Sequence, residues 1–147
     1  MFEVIRFTVE RVVRGAPEEL YAWMSDYSDR DYTGPNWSTK DGVRRSVSEQ
    51  DAQHAVFTDF YGRTTLKYLA EKRAPVGVKA RGTGDNMDSH VNLKILPAPE
   101  GSRLSIDFQF EARGAARLFA GLMSGAVKRA TVRQVDCFLA DFYAARS

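Results

Sequence analysis

Residues 76–95 read VGVKARGTGDNMDSHVNLKI, and the order of side chains in this stretch decides the fold. Asp85-Asn86, between Gly84 and Met87, is a tight two-residue turn. Folding about it pairs Gly84 with Met87, Gly82 with Ser89, Ala80 with Val91, Val78 with Leu93 and Val76 with Ile95. Small and apolar residues then share one face, while Lys79, Arg81, Thr83, Asp88, His90 and Asn92 take the other. Such sorting marks an antiparallel hairpin with one dry and one wet side.

Toward the N-terminus, Tyr61-Gly62 reads as a second two-residue turn, pairing Asp59 with Thr64, Phe57 with Leu66 and Ala55 with Tyr68. Farther back, a strand-like run from about Glu3 to Val13 places Ile5, Phe7 and Val9 on one face. Gly15-Ala16-Pro17 stops it, and Pro17 with Glu18 and Glu19 opens a short helix striped by Leu20, Trp23 and Met24. The polar stretch from Asp26 to Asn36 is expected to hold a second short helix, ending at Trp37. Toward the C-terminus, the loop from Pro97 to Gly101 leads into a strand. There Leu104, Ile106, Phe108 and Phe110 alternate with Ser105, Asp107, Gln109 and Glu111. From Gly114 to about Ala145 the pattern is helical, roughly 45–50 Å at ~1.5 Å per residue. Its apolar stripe drifts, so a bend, a bulge or a break into two helices is expected at Ser124-Gly125.

The 147 residues are expected to form one domain over 1–147, with a composition ordinary for a globular protein. A net charge of +2 with no basic stripe interleaved with aromatics argues against nucleic acid as a partner. Arg113, Arg117, Lys128, Arg129 and Arg133 read as a solvated helix face, with contact to acidic lipids the weaker reading. The single Cys137 excludes an internal disulfide framework and reads as a small core residue. No signal peptide and no membrane-spanning run is evident, so a cytoplasmic protein without an integral membrane segment is expected.

The order is strand, two short helices, about six antiparallel strands and one long helix. The segments VERVVRGAPEELYAWMSD (9–26) and GSRLSIDFQFEARGAARLF (101–119), with Trp37 between them, resemble the START-like or SRPBCC superfamily, in its bacterial polyketide cyclase/dehydrase-like branch. The resemblance implies an α+β helix-grip fold, with a curved antiparallel sheet of about seven strands wrapped around the long C-terminal helix. It also implies a cavity between sheet and helix, which in relatives holds sterols, lipids, polyketides or other hydrophobic small molecules. That family mixes carriers with enzymes, so the fold alone does not choose between them.

The deduced inner face carries Phe57, Leu66, Tyr68, Val78, Val91, Leu93, Ile106 and Phe108, with Ala55, Ala80, Gly82 and Ser89 among them. The small residues either leave room for a ligand or let the helix approach a filled interior. Leu118, Leu122 and Met123 would form the helical wall, and Trp37 and Tyr68 are placed as ligand contacts, each with a flat face and one hydrogen-bonding group. Asp59 faces inward, and Arg45 is expected diagonally across from it. The pair is either a polar anchor for a ligand or an internal ion pair.

His54 and His90 are placed outward, so Asp88-Ser89-His90 makes no triad. No metal-ligand spacing and no cofactor motif is found, and no residue is assigned as catalytic. Binding of a hydrophobic small molecule such as a lipid, isoprenoid or aromatic polyketide, as carrier or sensor, is the leading reading. A cyclase or dehydratase in which Asp59, Arg45 or Tyr68 moves a proton is the alternative, and an interaction module with a vestigial pocket the third. Monomer and homodimer both remain open.

Overall fold

The computed structural model describes residues 3–37, 42–62 and 64–146, with the side chains of residues 3, 115 and 117–123 outside the description. Seven strands form one sheet: β1 (Glu3–Val13), β2 (Val43–Gln50), β3 (His54–Tyr61), β4 (Thr64–Arg73), β5 (Gly77–Thr83), β6 (Met87–Ala98) and β7 (Gly101–Ala112). The order β1-β7-β6-β5-β4-β3-β2 is antiparallel throughout. Strands β2 to β7 therefore meander, and β1 returns to pair with β7. Helix α1 (Pro17–Ser25) packs on β5, β6 and β7. Helix α2 (Arg117–Arg146), entered through a 3₁₀ turn at Gly114–Ala116, packs on β1.

The hairpin β5–β6 has the register read from its turn, with Gly82 opposite Ser89, Ala80 opposite Val91 and Val78 opposite Leu93. The hairpin β3–β4 differs by two residues: Phe57 pairs with Tyr68, Asp59 with Leu66 and Tyr61 with Thr64. Gly62 holds φ +61, the left-handed conformation that glycine takes most readily, and it follows the last strand residue, Tyr61, which is paired in the ladder and is not part of the turn. An even shift keeps every side chain on its expected face.

One further expectation is corrected and another is narrowed. Between α1 and β2 the second short helix is absent among the described residues, and turns run from 29 to 37 instead. The Asp31 carboxylate accepts the Ser28 backbone N–H at 3.0 Å, and Ser28 Oγ accepts that of Arg30 at 3.0 Å. Such local side-chain bonds compete with a helix. Of the alternatives at Ser124-Gly125, the break into two helices is absent, since α2 is one continuous helix. An exposed glycine costs a helix only about 1 kcal/mol. Beyond it the helix is anchored by Val135, Leu139 and Phe142, which are 4%, 6% and 3% exposed.

Burial along the inner face is uneven, and this gradient positions the site. In one row across the sheet, Val9, Ile106, Leu93 and Val78 are all buried. In the next row, Phe7, Phe108 and Val91 point the same way yet are only half-buried.

Candidate functional site

The polar end of the inner face is built on β2 and β3. Arg45 lies directly opposite Asp59, not diagonal to it, because an irregularity between Val47 and Glu49 absorbs the offset expected along β2. Arg45 Nε donates to Asp59 Oδ1 at 2.7 Å and Nη2 to Oδ2 at 2.9 Å. The remaining bonds come from the loop after α1: Arg45 Nη1 donates to Asp31 Oδ2 at 2.8 Å and Nη2 to the Tyr32 hydroxyl at 2.7 Å. Tyr32 and Tyr61 in turn donate their hydroxyl protons to Asp59 Oδ2, at 2.9 and 3.1 Å. The guanidinium sits 4.4 Å from the Phe57 ring centroid and 4.8 Å from that of Tyr32.

Both partners are buried, Asp59 at 1% and Arg45 at 9% exposure. Burial disfavours the Arg45 charge. Tyr32 and the Asp59 carboxylate more than offset this and push the guanidinium pKa up. For Asp31 burial wins, holding its carboxyl above the usual range despite Arg45 beside it. The group is a satisfied internal ion pair whose hydrogen bonds are made within the protein. Tyr32 keeps its place at φ 70, a conformation uncommon for a bulky residue, with its hydroxyl held between the two charges.

Beside this pair runs an aromatic stack. Tyr27 stacks on Phe57 with centroids 4.3 Å apart, and Phe57 on Tyr68 at 5.1 Å. The Tyr68 hydroxyl donates to Ser89 Oγ at 2.9 Å. Burial pushes the Tyr68 phenol up to about 12, so it keeps its proton at neutral pH. Of the two readings left open for Gly82, the filled one holds: a Cβ there would lie 2.7 Å from the Tyr68 ring, which occupies the volume. Gly82→Ala is therefore expected to displace the ring and lower stability by about 1–3 kcal/mol. Chemical denaturation measures this, and Gly82→Ala with Tyr68→Leu should recover part of the loss.

The apolar end lies on β1, β6 and β7. Phe7, Phe108 and Phe110 cluster with centroids 5.3 Å (Phe7–Phe108), 6.1 Å (Phe7–Phe110) and 6.3 Å (Phe108–Phe110) apart. All three rings are half-buried, as are Ile5 and Val91. Phe57, Leu66, Tyr68, Ala80 and Ser89 are buried on the same face. Trp37 sits apart from them: its indole N–H donates to Asp141 Oδ2 at 2.7 Å, and its ring meets Tyr32 and Phe138 edge-on. Helix α2 carries Leu118, Leu122 and Met123, whose side chains lie outside the described residues.

Sequence reasoning missed Asp31, Tyr61 and Asp141, and left Phe7 and Phe110 out of the candidate site although their inward phase was legible. His90 faces outward opposite Arg81, as read, and His54 is exposed. Cys137 is half-buried, not a core residue, with its thiol donating to the Asn36 carbonyl at 3.2 Å. Among the described residues no cluster of His, Cys, Asp or Glu is arranged to hold a metal ion, and no helix is long and apolar enough to cross a membrane.

A seven-stranded antiparallel sheet with a long C-terminal helix packed against it defines a helix-grip protein. Solved structures share the arrangement at low sequence identity. TTHA0849 from Thermus thermophilus is 17% identical with a TM-score of 0.73, the match covering 99% of this chain and 100% of that one. The di-domain ARO/CYC StfQ from the steffimycin biosynthetic pathway is 14% identical with a TM-score of 0.73, covering 97% of this chain and 52% of StfQ. Ara h 8.0201 is 12% identical with a TM-score of 0.66, covering 97% of this chain and 99% of its own. No curated protein matches the chain significantly in sequence. The chain belongs to the polyketide cyclase/dehydrase and lipid transport family, whose model matches residues 4–144.

Proposed function

We propose that the protein binds a hydrophobic small molecule, such as a lipid, isoprenoid or aromatic polyketide, as a carrier or sensor, between the inner sheet face and α2. The observation that carries this is the phenylalanine trio Phe7, Phe108 and Phe110. It faces inward on the sheet yet keeps solvent access, while the adjacent row is fully buried. Apolar side chains held open on an inner face form the usual floor of a ligand pocket. The lone Cys137 suits a reducing compartment, and we place the function in the cytoplasm.

Binding is favoured over cyclase or dehydratase chemistry by the state of the three groups such chemistry needs. Arg45 and Asp59 are engaged with each other and with two tyrosines. Tyr68, with its pKa pushed up to about 12, is far from the range of an efficient proton shuttle. Native mass spectrometry of the purified protein, before and after organic extraction, tests the proposal. The expected result is a non-covalent adduct that extraction removes and that Phe108→Asp abolishes while circular dichroism stays native. An adduct that survives Phe108→Asp unchanged overturns it.

A further inference from the structure

The outer face of the sheet carries a groove of about 740 Å³ across β1, β7, β6, β5 and β4. That volume falls within the range of about 300–1,000 Å³ usual for small-molecule sites. Its floor includes Phe7, Ala80, Val91 and Phe108, residues whose phase along their strands turns their side chains to the inner face.

Arg81 lies directly across from His90, and Lys79 directly across from Asn92. Residues two apart on a strand share a face about 6.5–7 Å apart, and neighbouring strands are about 4.8 Å apart. A guanidinium, an ammonium, an imidazole and an amide thus stand at the corners of one small patch. Arg6 lies in the same row as Arg81, beyond Gln109 and His90, roughly 14 Å away by strand spacing.

The charges here are unbalanced. Among the described residues Arg6, Lys79 and Arg81 enter no ion pair and no side-chain hydrogen bond. Two acids line the same groove: Glu71, directly across from Lys79 and 3.5 Å from Arg73, and Asp107, which accepts the Thr8 hydroxyl at 2.6 Å. The three cations Arg6, Lys79 and Arg81 thus exceed the acids by one. Elsewhere on this face Arg113 meets Asp88 at 2.6 Å, so cations there find partners within the protein. A guanidinium fork matches phosphate oxygens two at a time, and an ammonium beside it adds a point charge.

We propose that this groove is a second binding site, distinct from the inner face, for a small phosphorylated molecule whose phosphate sits between Lys79 and Arg81. The probe is inorganic pyrophosphate, titrated into the full chain at low ionic strength and followed by calorimetry and backbone amide shifts. The expected result is saturable one-to-one binding with shifts centred on residues 79–81 and 90–92. Arg81→Ala and Lys79→Ala should each weaken it about tenfold, the usual loss for a charge-assisted hydrogen bond. Arg103→Ala, an exposed change on the same face outside the groove, should leave it unchanged. Equal weakening by all three variants, or no saturation, overturns the site in favour of diffuse surface charge. Association only with vesicles of phosphatidylserine in phosphatidylcholine, without binding of free pyrophosphate, overturns it in favour of a membrane contact.

Discussion

Arg45→Met should lower the unfolding free energy by about 3–5 kcal/mol, the usual loss when one partner of a buried ion pair is removed. The methionine replaces much of the arginine's volume, so packing against Phe57 and Tyr32 changes little. What remains is the Asp59 carboxylate, 1% exposed, with only the hydroxyls of Tyr32 and Tyr61 to satisfy it. Asp31 also loses its partner, and the loop after α1 loses one of its attachments to β2. The double variant Arg45→Met with Asp59→Leu should recover much of the loss, because an apolar pair imposes no desolvation penalty. Urea unfolding of the four proteins in this cycle gives the coupling energy directly. A single-variant loss below about 1 kcal/mol would mean that Asp59 is readily hydrated. The carboxylate would then face an accessible interior and would again be a candidate anchor for a polar ligand group.

That pair also shows how far the residues alone could be read. The inward phase of Asp59 followed from its hairpin, since even a two-residue error in register preserves the face. Its partner was identified, but the geometry was not, because the irregularity at Val47/Glu49 leaves no mark in composition. The groups that satisfy the pair were not legible at all. Asp31 and Tyr32 come from a polar loop with no periodicity, and only tertiary packing brings them to β2 and β3. The same holds for Trp37, whose hydrogen bond to Asp141 spans most of the chain. The β5–β6 hairpin was read correctly because its signal is local: a two-residue turn and strict alternation on both sides. The two readings of Gly82 stayed open for the opposite reason. A missing side chain reads as space only until the ring that occupies it is located.

The second large effect lies at high pH. Below about pH 10 Tyr68 is protonated whether the chain is folded or not, so its contribution to stability is fully present. The unfolded chain loses the proton near the ordinary tyrosine value, whereas burial delays ionisation in the folded protein to about 12. The folded state therefore binds more protons between these values, and stability must fall as pH rises through that window. Two pKa units correspond to about 2.7 kcal/mol, lost progressively between about pH 10 and 12. Burial raises Tyr32 and Tyr61 as well, so their contributions decline from the same starting point. Tyrosinate absorbance and circular dichroism followed together should show the buried tyrosines ionising only as the fold is lost, in one cooperative step. Tyr68→Phe should shallow the decline while leaving Ser89 without its hydroxyl partner. If the full set of tyrosines titrated near pH 10 with the circular dichroism unchanged, water would reach the inner face freely. The aromatic stack could not then be the dry wall that a hydrophobic ligand requires.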